Sequence, residues 1–165
     1  MPPLSRIVVV GATLAVTSPA AAAPLDGKSY IIELSSPQFS SGYGEYLVPP
    51  LVKALRKERL RQTTGTEADI VVNVLTASDV GQWMNTAEGR AWLYSVSVTV
   101  GVSPGTYTLP HDGTPAFGVR ADLGTPNPDR EDELSCLIGL AARTAIRNYP
   151  AEGVFTTDGQ SCLRK

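Results

Sequence analysis

Between residues 92 and 102 the chain alternates without a break: Trp92, Tyr94, Val96, Val98, Val100 and Val102 against Leu93, Ser95, Ser97, Thr99 and Gly101. Successive side chains on a strand project to opposite faces, so this order predicts a long β-strand with aromatic and β-branched groups inward and mostly small polar groups outward. Ser29 to Ser35 reads as a first strand, and its near-continuous Tyr30, Ile31, Ile32 and Leu34 suit an interior place in a sheet. Ala68 to Thr76 gives a second strand, with Ile70, Val72 and Val74 alternating with Val71, Asn73 and Leu75. Phe117, Val119, Ala121 and Leu123 alternate with Gly118, Arg120 and Asp122 in what reads as the last strand. The connection to it turns at Pro104–Gly105 and again at Pro110 to Pro115, which is too short for a crossover helix. The two strands it joins are therefore expected to pair antiparallel, with Tyr107 and Leu109 extending the ladder.

The period changes twice. Over Glu45 to Leu60, Leu47, Leu51, Val52 and Leu55 share one helical face, and the paired Pro49–Pro50 predicts a true start near Leu47 or Val48, since proline is tolerated only in a first turn. Lys53, Arg56, Lys57, Arg59 and Arg61 follow, where cations complement the negative end of a helix dipole. From Thr125 a second helix is announced by Asn127 as a cap, Pro128 at the first position and the acids Asp129, Glu131, Asp132 and Glu133. Leu134, Leu137, Ile138, Ala141, Ala145 and Ile146 then recur at helical spacing until Pro150.

Between the second and third strands, Ser78 to Arg90 reads as a long loop, and loops of that length in a compact domain are often functional. Trp83 and Met84 are its candidate partner-binding residues, because Trp and Met are favoured at the centres of interfaces. The order strand, helix, strand, strand, strand, helix predicts an α/β (α+β) two-layer sandwich: a mixed, mainly antiparallel sheet of four to five strands with both helices on one face. The first two strands should form a parallel pair through a right-handed crossover. Over residues 29 to 148 this order resembles the amino-terminal domain of the periplasmic Tol-Pal protein TolB and the periplasmic part of curli-secretion-type lipoproteins. The resemblance is one of topology, with no propeller repeats and no lipid-attachment cysteine in this chain, so no site residue is carried over. It implies a role in contacts between envelope proteins.

Composition adds the compartment. Met1 to Arg6 leads into an apolar run from Ile7 to Val16 and then into Ser18, Pro19 and alanines 20 to 23, the pattern of a secretory signal peptide over residues 1–22. The apolar run falls short of the ~20 residues that span a bilayer, so no transmembrane anchor is expected. Residues 23–165 then form one periplasmic or secreted domain. The leader holds Arg6 and no acid, so its removal takes the net charge from −2 to −3, a balance that argues against nucleic acid as a partner. The two cysteines, Cys136 and Cys162, are expected to pair as a disulfide in an oxidising compartment.

Chemistry is sparse. The chain has no Gly-x-Ser-x-Gly elbow, His-Glu-x-x-His helix, P-loop or EF-hand loop. Its one histidine, His111, lies in the turn Pro110–His111–Asp112–Gly113 and reads as an exposed turn residue. The acids from Asp129 to Glu133 read as exposed dipole partners rather than as a calcium site or a catalytic carboxylate pair. No catalytic residue, cofactor or metal is therefore expected. The leading expectation is an exported, non-enzymatic protein that binds another envelope or periplasmic protein. A carrier or sensor of a small ligand is the second reading, and a small enzyme of unrecognised type the third.

Overall fold

The computed structural model describes residues 24–34 and 44–163. The expected leader, the start of the mature chain at Ala23 and most of the loop after the first strand lie outside the described residues. The strands are β1 (Ser29–Glu33), β2 (Arg61–Gln62), β3 (Ile70–Ser78), β4 (Gln82–Thr86), β5 (Gly89–Pro104), β6 (Phe117–Thr125) and β7 (Gly153–Asp158). Among the described residues the α-helices are α1 (Gly44–Lys57) after β1 and α2 (Glu131–Asn148) after β6. The spatial order is β2-β1-β3-β5-β6-β7, with β4 paired to β5 off that path. The fold is an α+β sandwich: a mixed sheet whose long ladders, β3–β5 and β5–β6, are antiparallel, with helices against it. β1 and β3 are parallel neighbours, as the crossover requires.

The core lies between the helices and one face of the sheet. Val96, Val98, Val100 and Val102 of β5 are buried beside Ile70, Val72 and Val74 of β3 and Phe117, Val119, Ala121 and Leu123 of β6. Leu47, Leu51 and Leu55 of α1 and Leu137, Ile138, Ala141, Ala145 and Ile146 of α2 close over them. Each of these sets is the apolar face that the sequence periodicity defines. Among the described residues, the 105–116 segment covers one end of the opposite face of the sheet. There the buried Asn73 donates to the Gly113 carbonyl at 2.7 Å, and the Ser103 hydroxyl accepts the Ala116 N–H at 3.0 Å, drawing the 105–116 segment across β5. Gly101 makes this possible: a Cβ there would collide with the Asn73 side chain and the Pro115 ring.

Several expectations are corrected. Among the described residues the sheet has seven strands rather than four or five, because β2, β4 and β7 are added. β2 has two residues, too few for any periodicity. β7 follows the second helix and pairs parallel with β6, repeating the crossover arrangement of the first half. Tyr107 and Leu109 lie in the irregular segment beyond β5 and do not extend its ladder. α1 starts at Gly44, a turn before its prolines. Pro49 and Pro50 remove the donors for the carbonyls of Glu45 and Tyr46, and both residues are exposed, so water can serve those groups.

α2 starts at Glu131, with Arg130 at the N-cap and no side-chain cap bond. Asn127, expected as the cap, instead donates through Nδ2 to Glu133 Oε1 at 2.6 Å, and the Thr125 hydroxyl donates to the same oxygen at 3.0 Å. Glu133 is thereby buried, unlike the exposed acid the sequence suggests. Its neighbours Asp129, Glu131 and Asp132 remain exposed. The Cys136–Cys162 disulfide is formed, with the Cα atoms 5.6 Å apart, and ties the end of the chain back to α2.

Candidate functional site

The stretch from Ser78 to Arg90 is not a loop. It holds β4, the outer strand of a ribbon in which β4 pairs antiparallel with the first residues of β5, from Gln82↔Leu93 to Thr86↔Gly89. β4 continues the line of β3 beyond a break at Asp79–Val80–Gly81, so the pair extends past the helix-covered part of the sheet. Asp79 organises the break. Its N–H donates to the Ser95 carbonyl at 3.1 Å, and its Oδ1 accepts the N–H groups of Ser95 at 2.8 Å and Gly81 at 2.9 Å. The side chain thus replaces ladder bonds that the extra residues would leave unmade. Gly81 adopts φ +85°, and a Cβ at that position would press into the Trp92 indole. At the tip, the Thr86 hydroxyl donates to the Gly89 carbonyl at 2.7 Å and closes the turn through Ala87 and Glu88.

The ribbon carries large apolar side chains into solvent: Trp83 is 57% exposed, Met84 43% and Trp92 40%. Trp83 and Trp92 are cross-strand partners and meet edge to face, with ring centroids 5.6 Å apart and planes at 83°. The Arg90 guanidinium lies over the Trp83 ring, 5.5 Å from its centroid. Alternation sends Met84 to the other side of the ribbon, with Ala91 and Leu93. The two candidate residues therefore serve different surfaces. Trp83 belongs to an aromatic cluster with Trp92 and Arg90. Met84 lines a groove of about 1040 Å³ on the open sheet face, whose floor includes Ser95 and Ser97 and whose far wall includes Arg120, Asp122 and Leu163.

Sequence reasoning missed Trp92, which the alternation assigns to the core. The periodicity of β5 is correct, but the helices do not reach its first residues. A signal was present: Trp83 and Trp92 are equidistant from Ala87–Glu88, and Gly89 follows, the spacing of a hairpin with a two-residue turn.

The remaining candidate chemistry stays dispersed. His111 is exposed, and the adjacent Asp112 accepts the Thr114 N–H at 2.9 Å, a bond that holds its carboxyl below the ordinary range. Among the described residues, no group of His, Cys, Asp and Glu is arranged to hold a metal ion. A second cavity, about 360 Å³, lies between the ends of β3 and α2 and is lined by Tyr46, Val96, Arg130 and Leu134. The Arg130 guanidinium there stacks 4.9 Å from the centroid of Tyr94. No described helix is long and apolar enough to cross a membrane.

No family model matches the chain, and no curated protein matches it in sequence. Among solved structures, a minor lipoprotein from Acinetobacter baumannii is similar to it at a TM-score of 0.40 and 15% identity, over 72% of this chain and 86% of that chain.

Proposed function

We propose that this chain is an exported, non-catalytic interaction module of the cell envelope, and that the β4–β5 ribbon is the surface with which it grips a partner protein. The observation that carries the reading is the exposure of Trp83, Met84 and Trp92 on one protruding two-stranded element. Two tryptophans held edge to face beneath an arginine form a rigid cluster of the residue types that dominate interface energetics. A stable monomer gains nothing from leaving them in water, whereas a partner that covers them recovers about 25 cal/mol for each Å² of apolar surface removed. The disulfide suits an oxidising compartment, which supports export.

Photo-crosslinking in intact cells tests the reading. A crosslinking residue at Asn85, on the ribbon, should give a discrete adduct with another envelope protein, while one at Thr64, at the opposite end of the sheet, should not. Trp83→Ala with Trp92→Ala should abolish the Asn85 adduct while the disulfide and thermal unfolding stay normal. An adduct that persists in this double variant would refute the ribbon as the contact surface.

A further inference from the structure

The molecule is electrically polarised along its helices, and the polarity marks a second surface. β1, β3, β6 and β7 run in one direction, so the helices that return from β1 and β6 run side by side in the same sense. Their amino ends carry Glu45, Asp129, Glu131 and Asp132. Their carboxyl ends meet where Arg147 of α2 clasps Glu58 just beyond α1, with Nη2 to Oε1 at 2.8 Å. Around that clasp the chain places Lys53, Arg56, Lys57, Arg59 and Arg61 from α1 and the turn after it, and Arg143 from α2. In a protein of net charge −2 this is a strong local excess of cations.

Several acids nearby are already matched. Asp26 pairs with Arg59 at 3.5 Å, Asp69 with Lys28 at 3.1 Å, and Glu58 with Arg147. Lys53, Arg56 and Lys57 instead surround a groove of about 530 Å³ whose other walls are Pro49 and Val52 and which, among the described residues, no acid lines. Lys53 and Lys57 also border the cleft between the helices, together with Gly139 and Arg143, and Asp132 closes its far end.

We propose that this basic face of α1 and α2 docks reversibly onto an anionic phospholipid surface. Long, exposed cations around an apolar floor match headgroup phosphates lying above acyl chains: the ammonium and guanidinium groups stay at phosphate level while the stems and Val52 cover apolar surface. Mobile headgroups need no fixed register, which suits a face without a preset array of paired donors and acceptors. Each cation that reaches such a surface strengthens binding about fivefold, and one patch of this size gives a reversible contact rather than an anchor. The proposal does not rest on the ribbon, which projects from the far end of β3.

Flotation of the full chain with vesicles tests it, comparing phosphatidylcholine alone with an equimolar mixture of phosphatidylcholine and phosphatidylglycerol. Binding should require phosphatidylglycerol and fall steeply as salt shortens the Debye length from about 30 Å to about 8 Å. Lys53→Glu, Arg56→Glu and Lys57→Glu together should reduce it by more than about a hundredfold. The three Gln replacements, which remove the charges without reversing them, should give a smaller loss of about a hundredfold. Arg90→Glu on the ribbon with Arg120→Glu in the middle of β6, on the open face of the sheet, should leave binding intact. Every variant keeps residues 1–23, so lipid contact made by Arg6 and the apolar run 7–16 is common to the parent and the variants, and the difference between them reads the basic face. Equal binding to both vesicle types, or full binding by the reversed variant, would overturn the proposal. So would an absence of vesicle binding together with salt-sensitive self-association lost in the same variant, because the basic end would then be meeting the acidic end of a second copy.

Discussion

The two halves of β5 share one alternating pattern and have opposite fates. From Val96 to Val102 the inward residues are sealed between the sheet and the helices; at Trp92 the same face lies 40% open to solvent. The difference is in what lies across from them. β3 and β6 flank the later half, and α2 packs over it, whereas among the described residues the first residues pair with β4 alone. A periodic sequence thus specifies which face is apolar, and the extent of the neighbouring layer decides whether that face is core or contact surface.

The contrast can be broken most forcefully in the sealed half. Phe117→Ala, at a fully buried ring that pairs with Val102, should cost about 3–5 kcal/mol in denaturant unfolding, with the denaturant slope unchanged if the native state keeps its compactness. A loss under ~1 kcal/mol would show that this end of the core is loosely packed. Removing the covalent tie should cost nearly as much. Cys136→Ser with Cys162→Ser releases a cross-link of sequence separation 26, for which chain entropy gives about 3.5 kcal/mol. Differential scanning calorimetry of the variant against the oxidised parent reads this directly.

On the open half the expected change is small. Trp83→Ala with Met84→Ala should shift unfolding by no more than about 0.5 kcal/mol, because solvent-facing side chains contribute little to stability. A loss as large as that of the Phe117 variant would mean that the ribbon is structural, and would remove its claim to be a contact surface. The smallest effect belongs to Asp69, an exposed residue at the end of the sheet opposite the ribbon. Its carboxylate accepts the Ser29 N–H at 2.7 Å, the Ser29 hydroxyl at 2.8 Å and the Lys28 ammonium at 3.1 Å, and these bonds lower its pKa from 3.8 to about 2. A folded pKa below the unfolded one means stabilisation that is complete above pH 3.8 and lost as pH falls through about 2. Asp69→Asn should therefore flatten the decline of Tm across that interval and leave Tm almost independent of Asp69 titration.

The core was largely legible in the order of the residues. Valines at every second position of β5 and leucines at helical spacing in α1 and α2 each define a face, and each face found the same interior. The candidate site was legible only in part. Trp83 and Met84 stand out by residue type, yet the pattern placed them in a loop. Their division between two sides of a ribbon depends on the Asp79 bonds to Ser95 and Gly81, and those join residues that are separate in the chain. The buried Glu133 was misread for a similar reason. Acids at a helix start look alike in sequence, and only the positions of Thr125 and Asn127 select which one turns inward.

The sequence alone determined the strand and helix faces, the antiparallel return of β6 along β5 and the pairing of the two cysteines, because these follow from local periodicity, turn length and number. Tertiary structure decided the addition of β2 and β7, the exposure of Trp83 and Trp92 beyond the reach of the helices, and the alignment of two helices that gathers cations at one end. Those outcomes depend on where one layer stops and which distant residues meet, and neighbouring residues carry no record of that.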